Sequence, residues 1–206
     1  VDPFCQVPTL SMTGNAMVIA DPENRPFAQY PRNIVRAAEA YMKGTGIADT
    51  MLILPEFEFY LFDQVGWQNG PHSICAQLDV NQGHWNSWTQ GQGCVVPAQK
   101  GYHVAKPLDQ SYECRSEMCM LMEQAGIPIK YHHPEVGAAG QFEIEPHLSP
   151  LSKMADDTMM IKYIIHNTAI KYGKTATFMP KPIYGEAGSG MHVHMLLLKD
   201  GQPVFS

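Results

Sequence analysis

Two short segments that alternate apolar with acidic residues constrain this chain more than anything else in it. In Glu56-Phe57-Glu58-Phe59, and again in Gln141-Phe142-Glu143-Ile144-Glu145, polar and large apolar side chains take turns. Strand side chains point to opposite faces with period two, so each segment predicts a β-strand with one apolar and one acidic face. The first grows out of the apolar run Met51 to Leu54 and reads as one strand over residues 51–63. Glu56 and Glu58 then share a side, about 7 Å apart along the backbone. Two hard oxygen donors at that spacing can each serve a different divalent ion, and a strand turning its acids to solvent would show the same pattern. The second segment follows Glu135 and the turn Gly137-Ala138-Ala139-Gly140, whose small residues let backbone approach a ligand; a surface hairpin fits it equally.

The remaining elements arrange themselves around these strands. A strand pair is expected over 7–13 and 16–20, about Thr13-Gly14-Asn15. A helix is expected over 31–42, with Pro31 in its first turn, an apolar stripe of Ile34, Ala37, Ala38 and Tyr41, and Gly44-Thr45-Gly46 as its stop. Residues 64–110 read as irregular loops over a site, with one strand at 73–80. Helices are predicted over 111–124 and 151–172, each ended by glycine (Gly126, Gly173), and strands near 127–131, 175–182 and 189–198. Asp200-Gly201 marks a hairpin turn whose return strand barely begins. Strands outnumber helices without regular βαβ alternation, which predicts an α+β fold with a mainly antiparallel sheet and flanking helices.

A formal charge of −6 and the lack of basic clusters argue against nucleic acid and against an anionic membrane surface, while nucleotide phosphates stay possible through metal ions. No apolar run reaches the ~20 residues of a bilayer span, and the first residues show no secretory signal. Cys5, Cys75, Cys94, Cys114 and Cys119 form an odd set with no CxxC pair, which fits reduced thiols and a cytoplasmic setting. His192 and His194 share a strand face, a spacing that suits a metal ligand beside a phosphate contact or two structural histidines. His132-His133 reads as structural or as support behind a site's ligands. Gly185 to Gly190 can present backbone N–H groups to an anion or be a plain turn; it lacks the Lys of a phosphate-binding P-loop.

The ordered series VDPF, GIADTMLILPEFEFYLFD, RSEMCMLMEQAGI, HHPEVGAAGQFEIE, KYGKTATFMPKP and GSGMHVH resembles glutamine synthetase of the bacterial type across essentially all 206 residues. That resemblance implies part of the catalytic domain over 1–206, with the N-terminal domain and the C-terminal part of the active site lying elsewhere. It implies ATP-dependent joining of ammonia to the γ-carboxylate of glutamate, with two divalent ions, magnesium or manganese (Mg2+ or Mn2+), in a homo-oligomeric ring. By the same resemblance Glu58, Glu135 and Glu143 hold one metal and Glu56 and His192 the other. Gly188 binds glutamate with Gln141 and Ala187 beside it, His194 meets ATP phosphates, and Tyr102 lies near the ammonium pocket. Ala187 stands where the family usually has Asn, Leu196 where it has Ser, and Lys130 where it has Glu. These differences leave open a γ-glutamyl ligase for another amine, or a catalytically silent structural or regulatory relative.

Overall fold

The two alternating segments become neighbouring antiparallel strands at the centre of the molecule. A computed structural model describes residues 28–86, 93–138 and 140–205; the strand pair expected over 7–20 lies outside the described residues. Chain order is α1 (Pro31–Thr45), β1 (Thr50–Pro55), β2 (Phe57–Phe62), β3 (Gln64–Gly70), β4 (Ser73–Asp79), α2 (Tyr112–Gln124), β5 (Ile129–Pro134), β6 (Gln141–Pro146), β7 (Ser149–Pro150), α3 (Leu151–Lys171), β8 (Thr175–Thr177), β9 (Val193–Lys199) and β10 (Gln202–Pro203). One sheet runs β10-β9-β1-β7 and a second β5-β6-β2-β8, while β3 and β4 form a separate hairpin. All these pairings are antiparallel, as the α+β expectation required.

Packing follows directly from the alternation. Phe57, Phe59 and Leu61 of β2 and Phe142 and Ile144 of β6 face the helices, where they meet Cys114, Met118 and Met122 of α2 and Ile161, Ile164, Ile165 and Ala169 of α3. The opposite face of the same strands carries Glu58, Gln141, Glu143 and Glu145, with Tyr60 and Phe62 packed on Val80. Burying the aromatic row therefore commits the acids to the other side.

The structure departs from the sequence expectation in five places. The strand expected over 51–63 is two strands in different sheets, joined at Glu56. Pro55, which has no N–H for the ladder, ends β1 opposite Val193, and the Glu56 N–H goes to the His192 carbonyl at 2.8 Å. The 64–110 stretch contains the β3–β4 hairpin, whose Trp67 and Ile74 are 78% and 81% exposed; β3 has neither alternation nor a buried face to announce it. On α1 the expected stripe is turned outward, with Ile34 54% and Tyr41 78% exposed. Polar contacts set that rotation: Arg32 pairs with Asp156 of α3, and the Glu39 carboxylate accepts the Ser152 N–H at 3.2 Å in the first turn of α3. Finally, β8 stops at Thr177 ahead of Pro180 and Pro182, and the return strand β10 is already paired with β9.

Ile164→Ala, at a fully buried position between the sheet and α2, is expected to lower stability by about 2–5 kcal/mol in urea unfolding. Trp67→Ala on the exposed hairpin is expected to change it by about 0.5 kcal/mol or less.

Candidate metal centre

Register brings the charged residues together. His133 of β5 lies opposite Glu143 of β6, and Glu143 lies opposite Glu58 of β2, so three strands place one row of ionisable groups on one face. Glu135 follows β5 directly, tied by its N–H to the Gln141 carbonyl at 2.9 Å. The His133 ring bridges two acids, with Nδ1 3.6 Å from Glu135 Oε1 and Nε2 3.5 Å from Glu143 Oε2. Among the described residues, two sets of three residues each offer ligand atoms within 4.8 Å of one another: His133, Glu135 and Glu143, and Glu56, Glu143 and Glu145. Glu143 belongs to both.

The other sheet supplies the far wall. The segment entering β9 is hydrogen-bonded to the β1–β2 join, through Glu56 N–H to His192 O and Glu58 N–H to Gly190 O. Each histidine meets one acid: His194 Nε2 is 2.7 Å from Glu56 Oε1, and His192 Nε2 is 3.8 Å from Glu58 Oε1. His192 itself immediately precedes β9, whose first residue is Val193.

The Gly185–Gly190 segment is largely engaged by the protein. Gly190 N–H donates to Glu58 Oε2 at 3.0 Å and Ser189 N–H to the Pro180 carbonyl at 2.9 Å, so neither amide is free for an anion. Gly188 packs so closely that a Cβ would fall 2.7 Å from that same carbonyl oxygen. The buried Gln141 amide donates to Glu58 Oε2 (3.1 Å) and Gly188 O (2.8 Å) and accepts the Gly137 N–H (2.7 Å). Both of its N–H donors are thereby used, leaving any substrate contact to its oxygen. The Ala187 carbonyl accepts the Tyr60 hydroxyl at 2.5 Å, and burial holds that phenol well above its ordinary pKa. Tyr102 is 56% exposed, stacked on His103 and edge-on to His133.

Electrostatics make this face unusual. Glu143 is pushed up to about 8, by burial first, then by hydrogen bonding with Glu135 and by the neighbouring Glu56, Glu135 and Glu58 charges. Burial alone would raise Glu145, but hydrogen bonding with Lys130 and Tyr131 outweighs it and leaves its pKa below the usual value. One oxygen of Glu145, Oε2, is buried without a hydrogen-bond partner. Crowded carboxylates, an orphaned acid oxygen and an imidazole are a donor set that fits a hard divalent cation.

Of the residues singled out in the sequence, Glu56, Glu58, Glu135, Glu143, His192 and His194 converge here. Gln141, Ala187 and Gly188 form the adjoining wall. Glu145 was not read as a site residue and His133 only as structural or supporting; Glu145 continues the period-two acid pattern of β6, and His133 lies two residues before Glu135, so both carried a signal.

A family profile described as "Glutamine synthetase, catalytic domain" matches residues 28–206. The chain belongs to the glutamine synthetase family. Among its relatives, the glutamine synthetase of Escherichia coli K12 is 46% identical over 180 residues, covering 85% of this chain and 38% of that protein. A 3-hydroxylaminophenol mutase of Cupriavidus pinatubonensis is 42% identical over 210 residues, covering 100% of this chain and 44% of that protein. The cryo-electron microscopy structure of Plasmodium falciparum glutamine synthetase superposes with a TM-score of 0.82 at 26% identity, covering 89% of this chain and 37% of that one. The chain thus spans less than half the length of these relatives.

The Glu143 shift has a defined sign. Its folded pKa lies above the ordinary 4.5, so the folded chain retains a proton that the unfolded chain has released between about pH 4.5 and 8. The contribution is full below that window and is lost as pH rises through 8. With divalent ions chelated, the urea midpoint is expected to fall across this range, and Glu143→Gln to flatten the fall; an unaltered slope would show that Glu143 is not the group responsible.

Proposed function

We propose that the full-length protein is an ATP-dependent ligase that joins ammonia to the γ-carboxylate of glutamate. What carries this reading is the shared face on which Glu56, Glu58, Glu135, Glu143 and His192 converge, in a chain of the glutamine synthetase family. Glu58, Glu135 and Glu143 hold one divalent ion, and Glu56 and His192 help hold another, magnesium or manganese. When bound, those ions supply the positive charge that lets a carboxylate approach a polyphosphate.

The chain's own residues arrange the reactants. The glutamate γ-carboxylate oxygen attacks the terminal phosphorus of ATP, ADP leaves, and ammonia then displaces phosphate from the acyl carbon. His194 meets the nucleotide phosphates, the Gly188 turn with Ala187 and Gln141 seats the amino acid, and Tyr102 borders the ammonium pocket. Fixing these groups on two sheets joined through Glu56 and Glu58 holds the reactants in line before reaction. In this reading the chain works within a homo-oligomeric ring, and segments outside it complete the site. A reducing compartment, the cytoplasm, is supported by Cys75, Cys94, Cys114 and Cys119, which are all free thiols. Among the described residues no helix is long and apolar enough to cross a membrane.

Ala187 favours one variant of the reading, a γ-glutamyl ligase for another amine, because the amide the family usually offers at this position is missing.

Full-length protein given glutamate, ATP, Mg2+ and ammonia is expected to release glutamine, ADP and phosphate. Glu58→Ala is expected to lower kcat by about 100-fold or more, the scale of several kcal/mol of lost charge stabilisation. The 206-residue chain alone is expected to show little or no turnover. No glutamine from ammonia, with product from a larger amine instead, would replace the first reading by its variant.

A further inference from the structure

We infer that Glu145 is an additional ligand for a divalent cation at this centre, and that the Lys130 ammonium is the built-in competitor for it. The inference rests on the metal-dependent reading above, since it shares Glu56 and Glu143 with it, but it adds a residue to which that reading assigns nothing.

Three observations point to Glu145. Its position in β6, two residues beyond Glu143, puts it on the acidic face, and it offers a ligand atom within 4.8 Å of those of Glu56 and Glu143. Its side chain is only 2% exposed, so no bulk water relieves it. Its Oε2 is buried with no hydrogen-bond partner, although an orphaned carboxylate oxygen is among the costlier things to bury. One half of the carboxylate is satisfied and the other is not, as expected of a group awaiting a second positive partner.

Lys130 is the cationic partner already present, beside the Tyr131 hydroxyl that hydrogen-bonds the same carboxylate. Its Nζ lies 2.6 Å from Glu145 Oε1, and it also rides over the Tyr131 ring at 5.0 Å. The side chain is 45% exposed, on the edge strand β5, so its long stem can carry the ammonium out to water without disturbing the fold. Glu145 has no such freedom. A small ion with three carboxylate oxygens from Glu56, Glu143 and Glu145 would satisfy Oε2 and relieve the mutual repulsion, which a single ammonium on Oε1 does only in part. Hard oxygen donors select Mg2+ or Mn2+ over softer metals. The exchange of ammonium for divalent ion would make cation affinity in this chain depend on a lysine at the rim.

The test is Mn2+ titration of the full-length protein without nucleotide, followed by calorimetry and by the paramagnetic resonance of free Mn2+. Wild type is compared with Glu145→Gln, Lys130→Met and the double variant, with Glu145→Asp keeping a carboxylate as the folding control. Glu145→Gln is expected to weaken Mn2+ binding by about tenfold or to remove one equivalent, and Glu145→Asp to restore much of it. Lys130→Met is expected to tighten binding severalfold, and that gain to vanish in the Glu145→Gln background. Equal gains in both backgrounds would overturn the inference, because Lys130 would then act on the whole cluster rather than through Glu145. So would a Glu145→Gln titration identical to wild type while Glu58→Ala lowers binding, an outcome that leaves the metal-dependent reading standing. No Mn2+ binding by wild type would overturn both.

Discussion

Glu58 and Glu143 face each other across antiparallel strands, and the rest of the structure is arranged around that repulsion. Like charges directly opposite in a sheet destabilise it, and Glu143 avoids the full cost by keeping its proton up to about pH 8. The pairing holds because the other face of the same two strands is apolar: Phe57, Phe59, Leu61, Phe142 and Ile144 are buried against α2 and α3. A one-residue slip would relieve the acids only by driving them into that core. Hydrophobic burial on one side thus fixes the crowding on the other, where burial first, then hydrogen bonding with Glu135, and last the Glu58 charge raise the Glu143 pKa.

Rigidity around the acids comes from close backbone approach. At Gly137 an added Cβ would fall 2.0 Å from the Tyr60 hydroxyl oxygen and 2.5 Å from Gln141 Oε1, so no side chain fits between the turn and the sheet. Gln141 then links Gly137, Glu58 and Gly188, while Tyr60 reaches Ala187. The buried Glu186 carboxylate adds a further tie, accepting the Ala138 N–H at 3.0 Å and the Gln99 N–H at 3.3 Å. Turns distant in sequence are therefore held to the sheet by polar groups that have no slack to reorient.

Much of this was legible in the sequence, for an identifiable reason. Alternation at Glu56–Phe59 and Gln141–Glu145 states both strand type and face, and the three helices fell near their expected bounds because glycines and Pro31 punctuate them. What alternation cannot state is which sheet a strand joins, so the change of sheet at Glu56 was invisible. The facing of α1 was misread for a related reason: its rotation is set by Arg32 and Glu39 meeting α3, and an apolar stripe carries no information about polar anchors. The β3 strand escaped notice because it pairs only with β4 and buries neither face. At the site, spacing hinted at His133 and Glu145, but only cross-strand register shows that they meet Glu56, Glu135 and Glu143.

Membership of the glutamine synthetase family and the geometry of the acidic face meet in one claim, that this face binds divalent cations through carboxylates from β2, β6 and the turn after β5. Anomalous X-ray diffraction at the manganese edge, from crystals of the full-length protein soaked in Mn2+, tests it most directly. The account predicts anomalous peaks within coordination distance of Glu58, Glu135 and Glu143 and of Glu56 and His192. Manganese found only at surface positions away from these side chains would contradict it.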